Sequence, residues 1–451
     1  LAPEAGESPQ VYSYENGTFE LASRLPDESV PHEAWLGSEG GPPAGTKDNA
    51  LSRDGSRLFF SSYYSPGAPR SLFMRVGDTV TDISLSQAAE PDPLGTAPKT
   101  FVGASEDGDR VFFISCEKLT DDSTAVFDGG EAVCSHDLYM YETETGDLTD
   151  LTTADPNGAK VISAVQVSEA GDVVYFVARG DLDGGAGVPG EPKIYAWQDG
   201  EIDYVATVSE ADFRTIYPGG AGGAKATPDG RVFAFLTSAT QPGFDNEGTS
   251  QAYVYRLGES PVCASCDAAV APASVEFSNV SPTNQQDVRN LSDDGRRLVF
   301  QTAMPLSASD SNGQLDVYLW EDGDVSLISG GQSDRPSEFA EASPSGDDVF
   351  FYTRQRLLPS DRDGLMDVYG ARVGGGFATP ASGPAPCLGS ACQVPGAAPP
   401  AQPAPATESV RGTARKPVKR CDKNKRRTIS KGKAACVNKK KPGKPRRGAG
   451  R

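Results

Sequence analysis

Six times along the 451 residues a short phrase recurs: a Ser or Thr, an acid–Gly or similar turn, then a β-rich apolar run. The turns are Ser52-Arg53-Asp54-Gly55, Ser105-Glu106-Asp107-Gly108, Ser168-Glu169-Ala170-Gly171, Thr227-Pro228-Asp229-Gly230, Ser292-Asp293-Asp294-Gly295 and Ser343-Pro344-Ser345-Gly346. Runs such as Leu58-Phe59-Phe60, Val111-Phe112-Phe113 and Val349-Phe350-Phe351 follow them, and successive turn glycines lie 51 to 65 residues apart. A fixed phrase at a nearly fixed period is the mark of a repeat architecture. Asp-Gly between apolar runs marks a hairpin, because Gly takes positive φ without steric cost.

Each phrase is followed by a second strand pair, beginning at Leu72, Asp137, Lys193, Gln251, Asp316 and Asp367. Four antiparallel strands per unit, repeated six times, predict an all-β fold, a six-bladed β-propeller. Val11 to Ser23 reads as the second half of a unit without its first half, and the last unit fades after its third strand, near Arg372. The expectation is therefore a ring closed by its N-terminal strands, with no sheet edge left open. The other reading assigns residues 11–23 to a truncated seventh blade.

The phrases Ser52 to Phe60 and Asp316-Val317-Tyr318-Leu319-Trp320 resemble the TolB-type, WD-repeat-like propellers of bacteria, over roughly residues 10–378. Six copies in order make the resemblance specific for fold; for function it is unspecific. Copies three and six depart from Asp-Gly, with Ala170-Gly171 and Ser345-Gly346. Related propellers precede α/β-hydrolase domains in certain peptidases, but these residues contain no Gly-x-Ser-x-Gly elbow and leave no room for such a domain. The domain reading is a propeller over 10–378, a Pro/Ala-rich linker over 379–410 and a basic tail over 411–451, expected to be disordered. Linker and tail resemble the ends of secreted actinobacterial propeller proteins.

Composition fits many short strands joined by long turns: 37% hydrophobic residues, with 50 Gly and 35 Pro. Residues 411–451 carry 18 Lys or Arg and one acid, Asp422, whereas the first 410 carry 24 basic and 61 acidic residues. No run approaches the ~18 apolar residues of a membrane-spanning helix. The first residue is Leu1 rather than Met, so a secretory signal is expected to have been removed. Eight cysteines form four sequence-local pairs, Cys116/Cys134, Cys263/Cys266, Cys387/Cys392 and Cys421/Cys436. With only two His in the chain, disulfides are expected rather than metal, and with them a secreted or cell-envelope location. A bond between Cys116 and Cys134 would contribute about 3 kcal/mol by closing its loop.

Catalysis has little to draw on. Neither His32 nor His136 has a nucleophile or acid at a telling spacing, and His136 is read as a loop residue. Cys263-Ala264-Ser265-Cys266 lacks the second ligand pair of a zinc site. No enzyme and no organic cofactor is expected. Two loops share an oxygen-rich spacing: Asp310, Asn312, Asp316 around Gly313, and Asp361, Asp363, Asp367 around Gly364. Weaker versions are Asp181-Leu182-Asp183-Gly184 and Asp245-Asn246-Glu247-Gly248. Such loops suit calcium; the simpler reading is an Asx-turn, in which Asp or Asn bonds its own backbone.

The expected function is a monomeric, non-enzymatic scaffold recognising a protein or glycan on a propeller face. Lys425-Arg426-Arg427 and Lys439-Lys440-Lys441 lack interleaved aromatics, which argues against base-stacking recognition of nucleic acid. A polycation outside the cell is attracted to anionic wall polymers or lipid headgroups in a salt-sensitive way, or folds back on its own acidic body. The alternatives are a metal-assisted lyase or hydrolase built on the propeller face, and a TolB-like periplasmic assembly factor.

Overall fold

The fold is that of a computed structural model. It describes residues 8–38, 48–65, 67–127, 134–212, 223–277, 288–376, 425–430 and 433–438. The chain divides into two units, residues 1–382 and 383–451.

In the first unit the repeat becomes a series of antiparallel sheets. The first is Ala34–Leu36, Arg57–Tyr63, Arg70–Val76 and Thr79–Asp82; the second is Lys99–Ala104, Arg110–Ser115, Asp137–Glu142 and Leu148–Asp150. The third is Val161–Val167, Val173–Ala178, Lys193–Gln198 and Glu201–Thr207; the fourth is Ala224–Ala226, Val232–Thr237, Gln251–Arg256 and Val262–Cys263. The fifth is Val275–Glu276, Arg297–Thr302, Asp316–Glu321 and Asp324–Leu327. The sixth has three strands, Ser337–Ala342, Asp348–Thr353 and Asp367–Arg372. Each sheet runs in chain order from its first strand outward, as the two-hairpin unit predicts.

Successive sheets stack face to face, which explains why their middle strands are apolar on both sides. In Val232–Thr237, Phe233 and Phe235 pack with Tyr175 and Val177 of the third sheet. The alternate residues Val232, Ala234 and Leu236 pack with Leu298 and Phe300 of the fifth. Equivalent cores join first to second, second to third and fifth to sixth. The turns are linked too. Arg53 N–H donates to Glu106 O (2.8 Å), Glu106 N–H to Glu169 O (2.7 Å), Glu169 N–H to Pro228 O (2.8 Å) and Asp293 N–H to Pro344 O (2.8 Å). Proline has no N–H, so the series stops at Pro228 and again at Pro344. Four-stranded sheets stacked by consecutive faces make a β-propeller.

Two expectations are corrected. The N-terminal strands do not complete the sixth sheet: Tyr12–Glu15 and Thr18–Leu21 pair with each other in a separate two-stranded sheet. Packing explains the choice. Val11 and Leu25 join Phe60 and Phe73 behind the first sheet, and Arg75 donates to Leu21 O and pairs with Glu20 at 3.0 Å. The basic tail is not wholly without structure either, since Lys425–Ser430 and Lys433–Asn438 form an antiparallel hairpin. Its β-branched Thr428, Ile429 and Val437 favour extended backbone.

Candidate functional site

Residues at and just before the turns line an axial opening of about 630 Å³. Its position follows from register. Two residues before the turn Ser or Thr, the six copies carry Ala50, Gly103, Gln166, Lys225, Asn290 and Glu341. Gln166, Lys225, Asn290 and Glu341 line the opening, together with Asp48, Glu169, Arg289 and Asp293. Bulges precede Gly103, Gln166 and Glu341 in their strands, and a bulge re-aims the side chain beside it.

The lining is partly fixed by its own hydrogen bonds. Gln166 Oε1 accepts from Ala226 N–H (3.0 Å), and Glu341 Oε1 accepts from Arg289 N–H (2.8 Å). Arg289 Nε stands 3.5 Å from Asp293 Oδ1. Lys225 is the titratable group of most interest. Burial pushes its ammonium below the ordinary lysine range, while the carboxylates of Asp48 and Glu341 pull it back up. The opening thus mixes two cations with a surplus of carboxylates, held by strands of the third, fourth and sixth sheets and by the segments before the turns of the first and fifth.

The two acidic loops lie elsewhere, between second and third strands, and the antiparallel order puts these loops at the strand ends away from the turns. In the loop of the fifth sheet the oxygen-bearing side chains hydrogen-bond within the protein. Tyr318 donates its hydroxyl to Asp310, Asn312 Nδ2 donates to Asp316 Oδ2 (2.7 Å), and Ser329 donates to Asp316 Oδ1. Gln314 N–H closes an Asx-turn onto Asn312 Oδ1 (2.7 Å). In the sixth sheet Tyr369 donates to Asp361 Oδ2 (2.7 Å) and Leu365 N–H to Asp363 Oδ1 (2.9 Å). There Asp361, Asp363 and Asp367 still bring carboxylate oxygens within 4.8 Å of one another. The same tyrosine secures the loops of other sheets, through Tyr139 to Glu117 O and Tyr195 to Gly180 O (both 2.8 Å).

Cys116–Cys134 and Cys263–Cys266 are disulfides. Cys387, Cys392 and Cys421 lie outside the described residues, and of Cys436 only the backbone, in the tail hairpin, is described. His136 is not a loop residue: its backbone bridges to Val161, its Nε2 stands 3.2 Å from Cys134 Sγ, and burial holds its pKa down at about 4. Sequence reasoning also passed over a buried acid pair beside it. Asp137 accepts from Ser123 (3.0 Å) and Thr124 N–H (2.8 Å). Burial raises both carboxyls of the pair, and beside Asp137 that of Asp150 is pushed up to about 9.

No protein-family model matches the sequence, and no curated protein does. Solved structures of similar architecture include TolB from Acinetobacter baumannii, at 16% identity and TM-score 0.28, over 67% of this chain and 59% of that one. The chain thus spans under two thirds of that TolB. Another is the β-propeller domain of the Trilobed protease from Pyrococcus furiosus, at 11% identity and TM-score 0.31, over 72% of this chain and 80% of that one. A third is an oligogalacturonate lyase in complex with manganese, at 13% identity and TM-score 0.28, over 81% of this chain and 96% of that one.

Proposed function

We propose that the chain is a non-enzymatic binding scaffold of the cell exterior or envelope, recognising a protein or glycan ligand at the axial opening. The observation that carries this is the opening's lining: Gln166, Lys225, Arg289 and Glu341, side chains from four sheets, meet in one polar cavity. Polar groups fixed on strands at a converging point suit a ligand rich in hydroxyls or amides. The two disulfides agree with an oxidising compartment, and no helix among the described residues is long and apolar enough to cross a membrane. The basic segment 411–451 would add an electrostatic anchor to anionic envelope polymers or headgroups.

A glycan and peptide array probed with the full chain tests the recognition role. Ligands are expected whose affinity falls at least tenfold in Lys225→Met and in Glu341→Gln. Hits indifferent to both substitutions, or no hits, would overturn it. The anchor is tested by sedimenting the chain with isolated cell envelope at low salt, with and without residues 409–451; equal binding by both refutes it. Lys225 also favours a second reading, an enzyme using a lysine of lowered pKa as a base. That reading requires turnover of some array ligand, lost in Lys225→Met and falling at low pH in the parent chain.

A further inference from the structure

We infer that Cys116, Cys134 and His136 form a redox-gated metal site. Oxidised, the two cysteines exclude metal as a disulfide; reduced, the three side chains take a borderline-soft divalent ion such as Zn²⁺. The ladder of the second sheet brings them together. Asp137 of the third strand pairs with Ser115 of the second. One step along the same register His136 stands opposite Cys116, and directly opposed side chains share a face, with Cβ atoms about 4.5–5.5 Å apart. Cys134 lies two residues before His136 in the same extended stretch, so it turns to the same side. The three ligand atoms, two Sγ and one imidazole nitrogen, lie within 4.8 Å of one another. Cys263–Cys266 has no third ligand of this kind among the described residues.

Backbone pairing, not the disulfide alone, holds each residue in place. Cys134 pairs with Phe127, His136 bridges to Val161, and Cys116 directly follows the strand Arg110–Ser115. Reduction therefore releases the sulfurs from each other while the ladder keeps their Cα atoms close. His136 Nε2 stands 3.2 Å from Cys134 Sγ, and the ring also hydrogen-bonds the backbone of Val161. A second contact of that kind fixes the orientation of a metal-binding imidazole. The ring is uncharged at neutral pH, which is the form that binds metal. Two thiolates and an imidazole suit tetrahedral zinc, at about 2.3 Å to sulfur and about 2.0–2.1 Å to nitrogen, and leave the fourth position to water. Cys116 is buried and the other two are half-buried, so the site is closed on one side and reachable from the other. A dithiol is the reductant required. The S–S bond of Cys116–Cys134 breaks, its sulfurs gain two electrons and two protons, and the dithiol closes to its own disulfide. Zn²⁺ then displaces both thiol protons to solvent. Thiolates held by zinc are withdrawn from re-forming the bond, so metal and disulfide exclude one another. The site stands at the strand ends away from the turns, and is independent of any ligand at the axial opening.

The test uses the full chain, reduced without air by a water-soluble phosphine, which becomes its oxide as water supplies the oxygen and the two protons. Zinc chloride is added, free thiols are alkylated, and each cysteine is followed by peptide mass spectrometry. Zinc is expected to slow alkylation of Cys116 and Cys134 at least tenfold relative to the metal-free sample. It should also raise the Tm of the reduced chain as its concentration grows. Co²⁺ in its place should give the thiolate-to-cobalt charge-transfer bands of a tetrahedral site, absent from the oxidised chain. His136→Gln leaves the disulfide intact, so its oxidised Tm should match that of the parent, while protection of the reduced cysteines falls at least tenfold. If that variant does not fold when oxidised, His136→Asn replaces it. No protection by zinc, protection equal in parent and variant, or loss of β-sheet circular dichroism on reduction would overturn the proposal. So would the same cobalt spectrum in the oxidised chain, since other groups would then hold the metal.

Discussion

Asp150 shows how much chemistry one side chain can hold without touching a ligand. Its carboxyl faces Asp137 inside the second sheet and is pushed up to about 9. A carboxyl protonated in the native state and ionised when unfolded favours folding most at low pH, and that advantage is lost as pH rises through the native value. His136 acts in the opposite sense: held down at about 4, it costs stability as pH falls below its ordinary value near 6.5. The two effects oppose each other between about pH 4 and 6.5, leaving Asp150 alone to act above that. Stability should therefore fall between pH 6.5 and 9 with a slope of up to about 1.4 kcal/mol per pH unit. Asp150→Asn should flatten it, as read by urea denaturation across that range; an unchanged slope means the pair does not share a proton. Asp310 gives a second test. Asp310→Ala removes one of two acceptors at the buried Tyr318 hydroxyl, the other being Met304 O at 3.0 Å, and should cost about 0.5–1.5 kcal/mol, visible as a lower urea midpoint without added metal. No loss without metal would mean that Asp310 does not hold the loop to Tyr318.

At the scale of elements, the turn glycines separate backbone need from packing need. Gly55 and Gly295 share the left-handed conformation, with φ of 74° and 66°. An Ala at Gly55 meets nothing and should cost about 1 kcal/mol from backbone strain alone. At Gly295 the same Cβ would fall inside the surface of Val232, adding about 1–3 kcal/mol of overpacking. Thermal denaturation of the two variants should show Gly295→Ala clearly the weaker; equal losses would mean that the turns do not bear on their neighbours. Strands, turns and unit length were legible in the sequence because Asp-Gly and two-sided apolar runs are local signals. The seat of the N-terminal hairpin was not, because Val11 and Leu25 choose between sheets only by tertiary packing. Lys225 escaped notice for a related reason: the axial position is defined by comparing registers across six copies, and within its own strand Lys225 looks like any polar residue. The tyrosine of Asp316-Val317-Tyr318 was in plain view, but its role depends on a loop that folds back eight residues away.

On the scale of the molecule, the backbone links between turns join sheets one to four, and separately five to six. Amides that report local opening should follow that division, since cooperative units coincide with contiguous bonded structure. In hydrogen exchange, the turn amides of Arg53, Glu106 and Glu169 should lose protection together, and that of Asp293 separately. A single common opening for all four would refute this. Pro228 and Pro344 thus mark seams in an otherwise continuous belt. At a seam, two neighbouring plates can tilt against each other without breaking a main-chain bond at the turns, and the residues bordering the axial opening belong to plates on both sides of the first seam. A ligand gripped by Lys225 on one plate and Arg289 on the other would act as a rivet, and its binding would be felt as rigidity far from the place where it sits.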